Sequence, residues 1–163
     1  MSGKGKADDG EKLIASNSIA RSDYAFEEVV EAGLMLTGTE VKSLRDQAPN
    51  LRDSFVEIRR DRGILEAWLL NCHIAPYAHG NIWNHEPRRK RKLLLHKHQI
   101  EKIHDATTQG GLSAIPLRMY FKSGRAKIEV GLGRGKKKHD KREDLKKRSA
   151  DREMDQARKR SLR

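Results

Sequence analysis

The sequence predicts a mainly β fold, a small antiparallel barrel of six or seven strands followed by a basic C-terminal tail. Three observations carry that expectation. Between residues 13 and 132, short apolar and β-branched runs recur between Gly, Pro and Asn turn signals, as short strands require. Only two stretches in that span read as helices, and they do not alternate with the strands, which argues against a doubly wound parallel sheet. The third observation is the placement of charge. Of 163 residues, 35 are Lys or Arg and 23 are Asp or Glu, a net of +12. Residues 134–163 hold 14 basic and 6 acidic residues, a net of +8, whereas the preceding 133 residues hold 21 and 17, a net of +4. With only 36% hydrophobic and 5% aromatic residues, the chain can build a core only if its ends stay out of it.

Residues 1–12 are rich in Gly, Lys, Asp and Ser and predict a disordered leader. Residues 24–31 have strand composition with imperfect alternation; Ala32-Gly33 is expected to bend or break that strand before a short one at Leu34-Met35-Leu36. Thr37-Gly38-Thr39-Glu40 fits a capping box and opens a short helix in which Val41 and Leu44 share a face, stopped by Pro49-Asn50. Residues 55–58 and 65–70 read as a hairpin turning at Asp61-Arg62-Gly63. The strand Lys92-Leu93-Leu94-Leu95 leads into a helix over residues 97–108, with Ile100 and Ile103 as its buried stripe and Gly110-Gly111 as its stop. Residues 112–122 and 125–132 form a second hairpin about Ser123-Gly124. Its second strand alternates Ala126, Ile128 and Val130 against Lys127 and Glu129, and Pro116 marks an edge or bulge in the first. Residues 13–133 are thus the folded domain.

Gly131-x-Gly133-x-Gly135 lacks both the dinucleotide-loop glycine and the P-loop Lys-Ser/Thr pair, and reads as a hinge into the tail. Residues 140–160 contain no Pro, Gly or β-branched residue and carry acid-to-base pairs four apart, such as Glu143/Lys147 and Asp144/Arg148. Leu145, Met154 and Leu162 make no continuous stripe. The tail is therefore expected as a frayed coil alone and a helix against a partner.

Composition excludes several classes. The longest stretch free of Lys, Arg, Asp and Glu, residues 67–85, holds Asn71, His73, Pro76, His79 and Gly80 and is no bilayer helix. The N-terminus predicts no secretory signal. Cys72 is the only cysteine, so neither an intrachain disulfide nor a Cys-based zinc site is expected, and a reducing cytoplasm is the natural compartment. The seven histidines show no ligand spacing: His96-x-His98 falls where a helix begins, and no metal or cofactor is expected.

Arg88-Arg89-Lys90-Arg91-Lys92 sets five cations side by side. In a strand, neighbours point to opposite faces, so the run is expected to meet solvent or phosphate. With the basic tail, it points to a nucleic acid rather than a merely solvated loop.

Five motifs occur in order: Glu31-Ala32-Gly33-Leu34, Gly38-Thr39-Glu40-Val41-Lys42-Ser43-Leu44-Arg45, Asn71-Cys72-His73-Ile74-Ala75-Pro76-Tyr77, Arg91-Lys92-Leu93-Leu94-Leu95-His96, and Gly135-Lys136-Lys137-Lys138-His139-Asp140-Lys141-Arg142-Glu143. Together they resemble the SsrA-binding protein (small protein B) family, partners of transfer-messenger RNA, from about Ile14 to the C-terminus. The resemblance implies an OB-fold-like barrel with two or three short helices that binds the tRNA-like domain of that RNA. It further implies that residues 134–163 enter the ribosomal small-subunit decoding centre and mRNA channel during trans-translation. Elongation factor Tu is implied in the delivery complex; catalysis, DNA and membrane are not.

By the same resemblance Asn17, Tyr24, Glu31, Arg91, Lys92, Leu94 and Lys127 contact the RNA, and Gly135, Lys136, Lys137, His139, Asp140, Lys141 and Arg142 act on the ribosome, His139 by stacking on a base. Ser18-Ile19 stands where the family has two basic residues, so any phosphate contact there is lost. From the residues alone, Glu31 reads as a surface carboxylate paired with a nearby cation, and Leu94 as core. Two other readings share the charge pattern: a generic OB-fold ribosome-associated protein or RNA chaperone, and a His-dependent nuclease.

Overall fold

The structure, a computed structural model, describes residues 10–162. Its elements in order are β1 (Glu11–Ser16), α1 (Ser18–Asp23), β2 (Tyr24–Leu34), α2 (Gly38–Asp46), β3 (Phe55–Asp61), β4 (Ile64–Leu70), a 3-10 turn (Asn81–Trp83), β5 (Arg91–Leu94), α3 (Lys97–Thr108), β6 (Ser113–Lys122), β7 (Arg125–Gly135) and α4 (Lys138–Ser161). One seven-stranded sheet runs β1-β6-β7-β2-β5-β4-β3, with every neighbouring pair antiparallel.

The sheet curls like a barrel but does not close. β1 and β3 are its edges, and β3 comes round against β6 without a ladder among the described residues. The last seam is bridged by α3, which packs on β3, β4 and β6 and buries Ile103 completely. Ala32, Leu34, Leu69, Ile74, Leu93, Met119, Ile128, Val130 and Leu132 fill the core with it. Residue alternation sends Ala32 and Leu34 of β2, Leu93 of β5 and Ile128, Val130 and Leu132 of β7 inward and their neighbours outward, which creates an outer face on these strands.

Both predicted hairpins turn as the residues require. Arg62 and Gly63 have φ of 48° and 82°, and Ser123 and Gly124 have 51° and 75°, the consecutive left-handed pairs of a tight hairpin turn. Pro116 sits at a register shift in β6, and because β6 lies between β1 and β7 this is a bulge and not an edge.

Several expectations are corrected. The leader was expected through residue 12, but β1 already begins at Glu11, paired with Lys122; residues 1–9 lie outside the described residues. Neither β1 nor α1 was foreseen. Gly33 does not break β2. It pairs with Lys127 on β7 and Leu94 on β5 at once, and a Cβ there would lie 3.2 Å from that of Leu94, so glycine permits the close crossing. Leu34 ends this same strand, and Leu34-Met35-Leu36 is not a separate one. Nor are Gly131, Gly133 and Gly135 a hinge: all three lie within β7, where a side chain on Gly133 would run into the Ala25 carbonyl and the Phe26 ring.

Candidate nucleic-acid interface

On the outer face of the sheet, β2 contributes Glu31 and Gly33, β5 contributes Lys92 and Leu94, and β7 contributes Lys127. With Glu66 and Ile64 of β4 and His96, Gln99 and Ile100 at the start of α3, they line a groove of about 660 Å³. Register explains the convergence: Gly33 faces Leu94 on one side and Lys127 on the other, so the absent side chain of Gly33 opens the floor between them. Leu93 takes the core position and Leu94 is 54% exposed, an outward leucine rather than core. Lys92 pairs with Glu66 at 2.9 Å, and the Lys90 ammonium lies 5.0 Å from the Trp68 ring centre.

Glu31 is held from the β6 side. The Tyr120 hydroxyl donates to its Oε2, and the Lys122 ammonium stands 4.0 Å from the same oxygen. Arg118 lies over the Tyr120 ring, 4.4 Å from its centre, and pairs with Glu129 at 2.7 Å and Glu11 at 3.3 Å. Sequence reasoning missed Arg118 and Tyr120. The signal was their i, i+2 spacing with Lys122 on β6, which sets all three on one face.

Four of the seven residues assigned to RNA by the resemblance therefore share one groove: Glu31, Lys92, Leu94 and Lys127. The other three do not. Tyr24 begins β2 at the far end, stacked on Phe26 with ring centres 5.8 Å apart, and lines a second groove with Ile19, Arg52 and Phe55. Asn17 is buried. Its amide donates to the Leu51 and Pro116 carbonyls, both at 3.1 Å, and its Oδ1 accepts from the Ala20 amide, so it caps α1 and ties it to β6.

Arg91 requires a correction, because its side chain is wholly buried and faces the core side of β5. The alternation that exposes Lys92 is what turns Arg91 inward. Its Nε donates to Glu40 Oε2, Nη1 to the Cys72 carbonyl at 2.7 Å and Nη2 to the Pro87 carbonyl at 3.1 Å. Glu40 Oε1 meanwhile accepts from Arg89 and from the Thr37 amide and hydroxyl, both at 3.0 Å, at the head of α2. Burial opposes the Glu40 charge, but Arg91, the Thr37 amide and Arg89 outweigh it and hold the carboxyl below its ordinary range. So the cation run can be hidden in part: one member is an internal strut and a second leans on the same carboxylate. Burial also pushes the Cys72 thiol up to about 11, an unreactive core residue.

The tail residues follow β7 without a break. Gly135 pairs with Tyr24, and the Lys136 amide donates to the Asp23 carbonyl at 2.7 Å. Lys137 is the N-cap of α4, and Asp140 lies in its first turn, where a carboxylate suits the helix dipole. Lys136 pairs with Asp144 and holds that carboxyl below its usual range. Lys141 reaches Asp23 at 3.2 Å, Arg148 reaches the Ser22 hydroxyl at 3.2 Å, and His139 lies 3.1 Å from Glu143. From Lys138 to Ser161 no residue is buried. The missing apolar stripe predicts no packing on the barrel, yet the helix is seated on α1 through polar contacts; Arg142 belongs to the exposed surface.

Comparison with known proteins bears on the whole chain. The family model described as SmpB protein matches residues 14–160. The chain is 55% identical over 148 residues to the SsrA-binding protein of Geobacter sulfurreducens, covering 91% of this chain and 94% of that protein. It is 51% identical over 146 residues to the SsrA-binding protein of Bacillus pumilus, covering 90% and 91% respectively. A solved structure reported as "tmRNA-SmpB: a journey to the center of the bacterial ribosome" superposes with a TM-score of 0.62 at 46% identity, over 78% of this chain and 87% of that one.

Proposed function

This chain belongs to the SmpB protein family, and on that premise we propose that it is a transfer-messenger RNA-binding protein of trans-translation. In this reading the groove of Glu31, Lys92, Leu94 and Lys127 holds the tRNA-like domain, and α4 works on the ribosome. The observation that carries the proposal is the convergence of those four residues, from three strands, on one groove. Each offers RNA a different chemistry. Lys92 and Lys127 attract phosphate. Leu94 presents an apolar surface for a ribose or base. Glu31 repels phosphate but accepts hydrogen bonds from a base amino group or a 2′-hydroxyl, which favours one shaped RNA over polyanions in general. Tyr24, at the other end of β2, adds a ring on which a base can stack. Asn17 and Arg91 serve from inside, as braces of α1 and of β5.

The tail supplies the second surface. Gly135, Lys136 and Lys137 set the launch point of α4, and His139, Asp140, Lys141 and Arg142 occupy its first turns. We assign these to the small-subunit decoding centre and the helix beyond to the mRNA channel, with elongation factor Tu in the delivery complex and the cytoplasm as the compartment. No catalytic role is proposed. Because no residue of α4 is buried and its seat on α1 is polar, the full-length protein alone is expected to show fast hydrogen exchange across residues 138–161. Added ribosomes should slow it. Strong protection in the free protein would contradict the view that the ribosome orders this helix.

Competition tests the RNA reading. Transfer-messenger RNA should remain bound in a large excess of bulk tRNA, whereas a generic RNA chaperone would release it. The logarithm of affinity should fall by about 0.7–0.9 per contacted phosphate for each logarithm of salt. Lys127→Ala should flatten that slope by about one, and Glu31→Gln should weaken binding with the slope unchanged. A flat salt response, or equal displacement by tRNA, would overturn the assignment.

A further inference from the structure

The Glu31 carboxylate does not stand free on the sheet; a buried apparatus on β6 aims it. Tyr120 shares the face of Lys127, is fully covered there by its neighbours, and its hydroxyl donates to Glu31 Oε2. Three features fix that hydroxyl. Tyr120 pairs in register with Lys127 on β7 and Leu13 on β1, so both flanking strands hold its backbone. Arg118 covers its ring at 4.4 Å. Arg118 is itself tied to Glu129 and Glu11, which spends its charge on those carboxylates. The arrangement also answers a conflict within the sheet, since Glu31 and Glu129 are direct cross-strand partners and two adjacent carboxylates repel. Arg118 answers Glu129, while Glu31 is met at Oε2 by the neutral Tyr120 hydroxyl, with the Lys122 ammonium 4.0 Å from the same oxygen.

We infer that Tyr120 is a positioning residue for RNA recognition, directing the Glu31 carboxylate into the groove as a charged acceptor for a base amino or imino group or a ribose hydroxyl, with Arg118 as the lid that holds the ring. The inference rests on the reading of Glu31 as an RNA contact given above. One Glu31 oxygen bonds to the phenol, which leaves the lone pairs of the other available to a ligand in the groove that Glu31 lines. Burial, then the nearby Glu31 carboxylate, hold the phenol above its ordinary range, so it stays a donor wherever the protein is folded. A pre-aimed acceptor loses less conformational freedom on binding than a surface glutamate that must first be ordered.

The experiment is a double-mutant cycle on the full-length protein, with the affinity for transfer-messenger RNA as readout. Tyr120→Phe keeps the ring and the Arg118 stack and removes only the hydroxyl. Expected is a loss of about tenfold in the parent protein, equivalent to about 1.4 kcal/mol. In the Glu31→Gln background, Tyr120→Phe should change affinity less than about twofold, because there is no longer a charged acceptor to aim. The salt slope should be unchanged by Tyr120→Phe, since no phosphate contact is lost. Equal losses in both backgrounds would show a merely structural tyrosine and overturn the inference, as would no loss in the parent. If Glu31→Gln alone leaves affinity intact, it is the assignment of Glu31 that fails, a result distinct from either of the other two.

Discussion

A chain ended after Lys136 is expected to bind transfer-messenger RNA nearly as well as the full-length protein and to support almost no peptide tagging. The cut position follows from the fold. β7 runs to Gly135, which pairs with Tyr24, and the Lys136 amide still bonds to Asp23, so a cut before residue 134 would strip a strand end and confuse folding with function. A cut after Lys136 removes no buried residue and breaks only polar surface contacts, those of Lys141 with Asp23, Asp144 with Lys136 and Arg148 with Ser22. The groove residues Glu31, Lys92, Leu94 and Lys127 remain. The deletion removes 12 basic and 6 acidic residues, half of the net +12, but these are solvent-exposed charges on a projecting helix. Their long-range attraction is screened beyond about 8 Å at physiological ionic strength, and the expected loss of RNA affinity is about threefold. Tagging needs both surfaces engaged at once. Losing one of two linked contacts forfeits the effective-concentration gain of about 10²–10⁴-fold, so tagging in a reconstituted stalled-ribosome assay should fall to background. RNA affinity and tagging lost in equal proportion would refute the separation into two surfaces.

That separation was legible in the sequence, because charge is a sum over residues and needs no geometry. The split into +4 and +8 at residue 134 falls close to the end of the sheet, which β7 carries on to Gly135. The strands flanking Arg62-Gly63 and Ser123-Gly124 were legible for a similar reason, since tight turns are set by two residues and alternation by near neighbours. Helix α3 was placed at residues 97–108 from its stripe and its glycine stop alone, and it occupies Lys97–Thr108.

What stayed hidden depends on contacts distant in the chain. β1 is an edge strand whose only ladder among the described residues is to β6, more than one hundred residues away, and its short sequence carries little apolar pattern of its own. The glycines of β7 look like a hinge until β2 is laid across them and Phe26 claims the space. Leu94 and Leu93 are interchangeable in composition; only the register of β5 on β2 and β4 decides which faces out. Among the candidate site residues, the two that the structure buries, Asn17 and Arg91, are polar groups whose partners include backbone carbonyls and a carboxylate far along the chain. A cation run reads as surface because a buried charge without a partner is prohibitively costly, and the partner of Arg91 lies 51 residues earlier.

That partner gives the largest expected stability effect. Glu40→Ala leaves Arg91, with no exposed side-chain surface, as an uncompensated buried cation. It also removes the carboxylate that bonds the Thr37 amide at the head of α2. Breaking a buried pair from one side costs about 3–5 kcal/mol, a lowering of roughly 10–20 °C in the melting temperature of a domain this size. The Glu40 carboxyl lies below its unfolded value of 4.5, so its stabilisation is fully present above that value and is lost as pH falls through the lower, folded one. Acid unfolding of the parent protein should therefore steepen below about pH 4.5, and Glu40→Gln, which has no proton to take up, should lose that component. The compensated change Glu40→Leu with Arg91→Met removes the fully buried pair together and leaves Arg89, whose side chain is 32% exposed, to turn to solvent. It should recover most of the stability, since replacing a buried pair by apolar groups of similar volume is often neutral or better. This double variant also decides what Arg91 is for. If Arg91 is the internal strut of β5, the variant binds transfer-messenger RNA with the parent affinity and the parent salt slope, because Lys92 and Leu94 still face the groove. A folded double variant that has lost affinity and one phosphate from its salt slope would return Arg91 to the RNA surface.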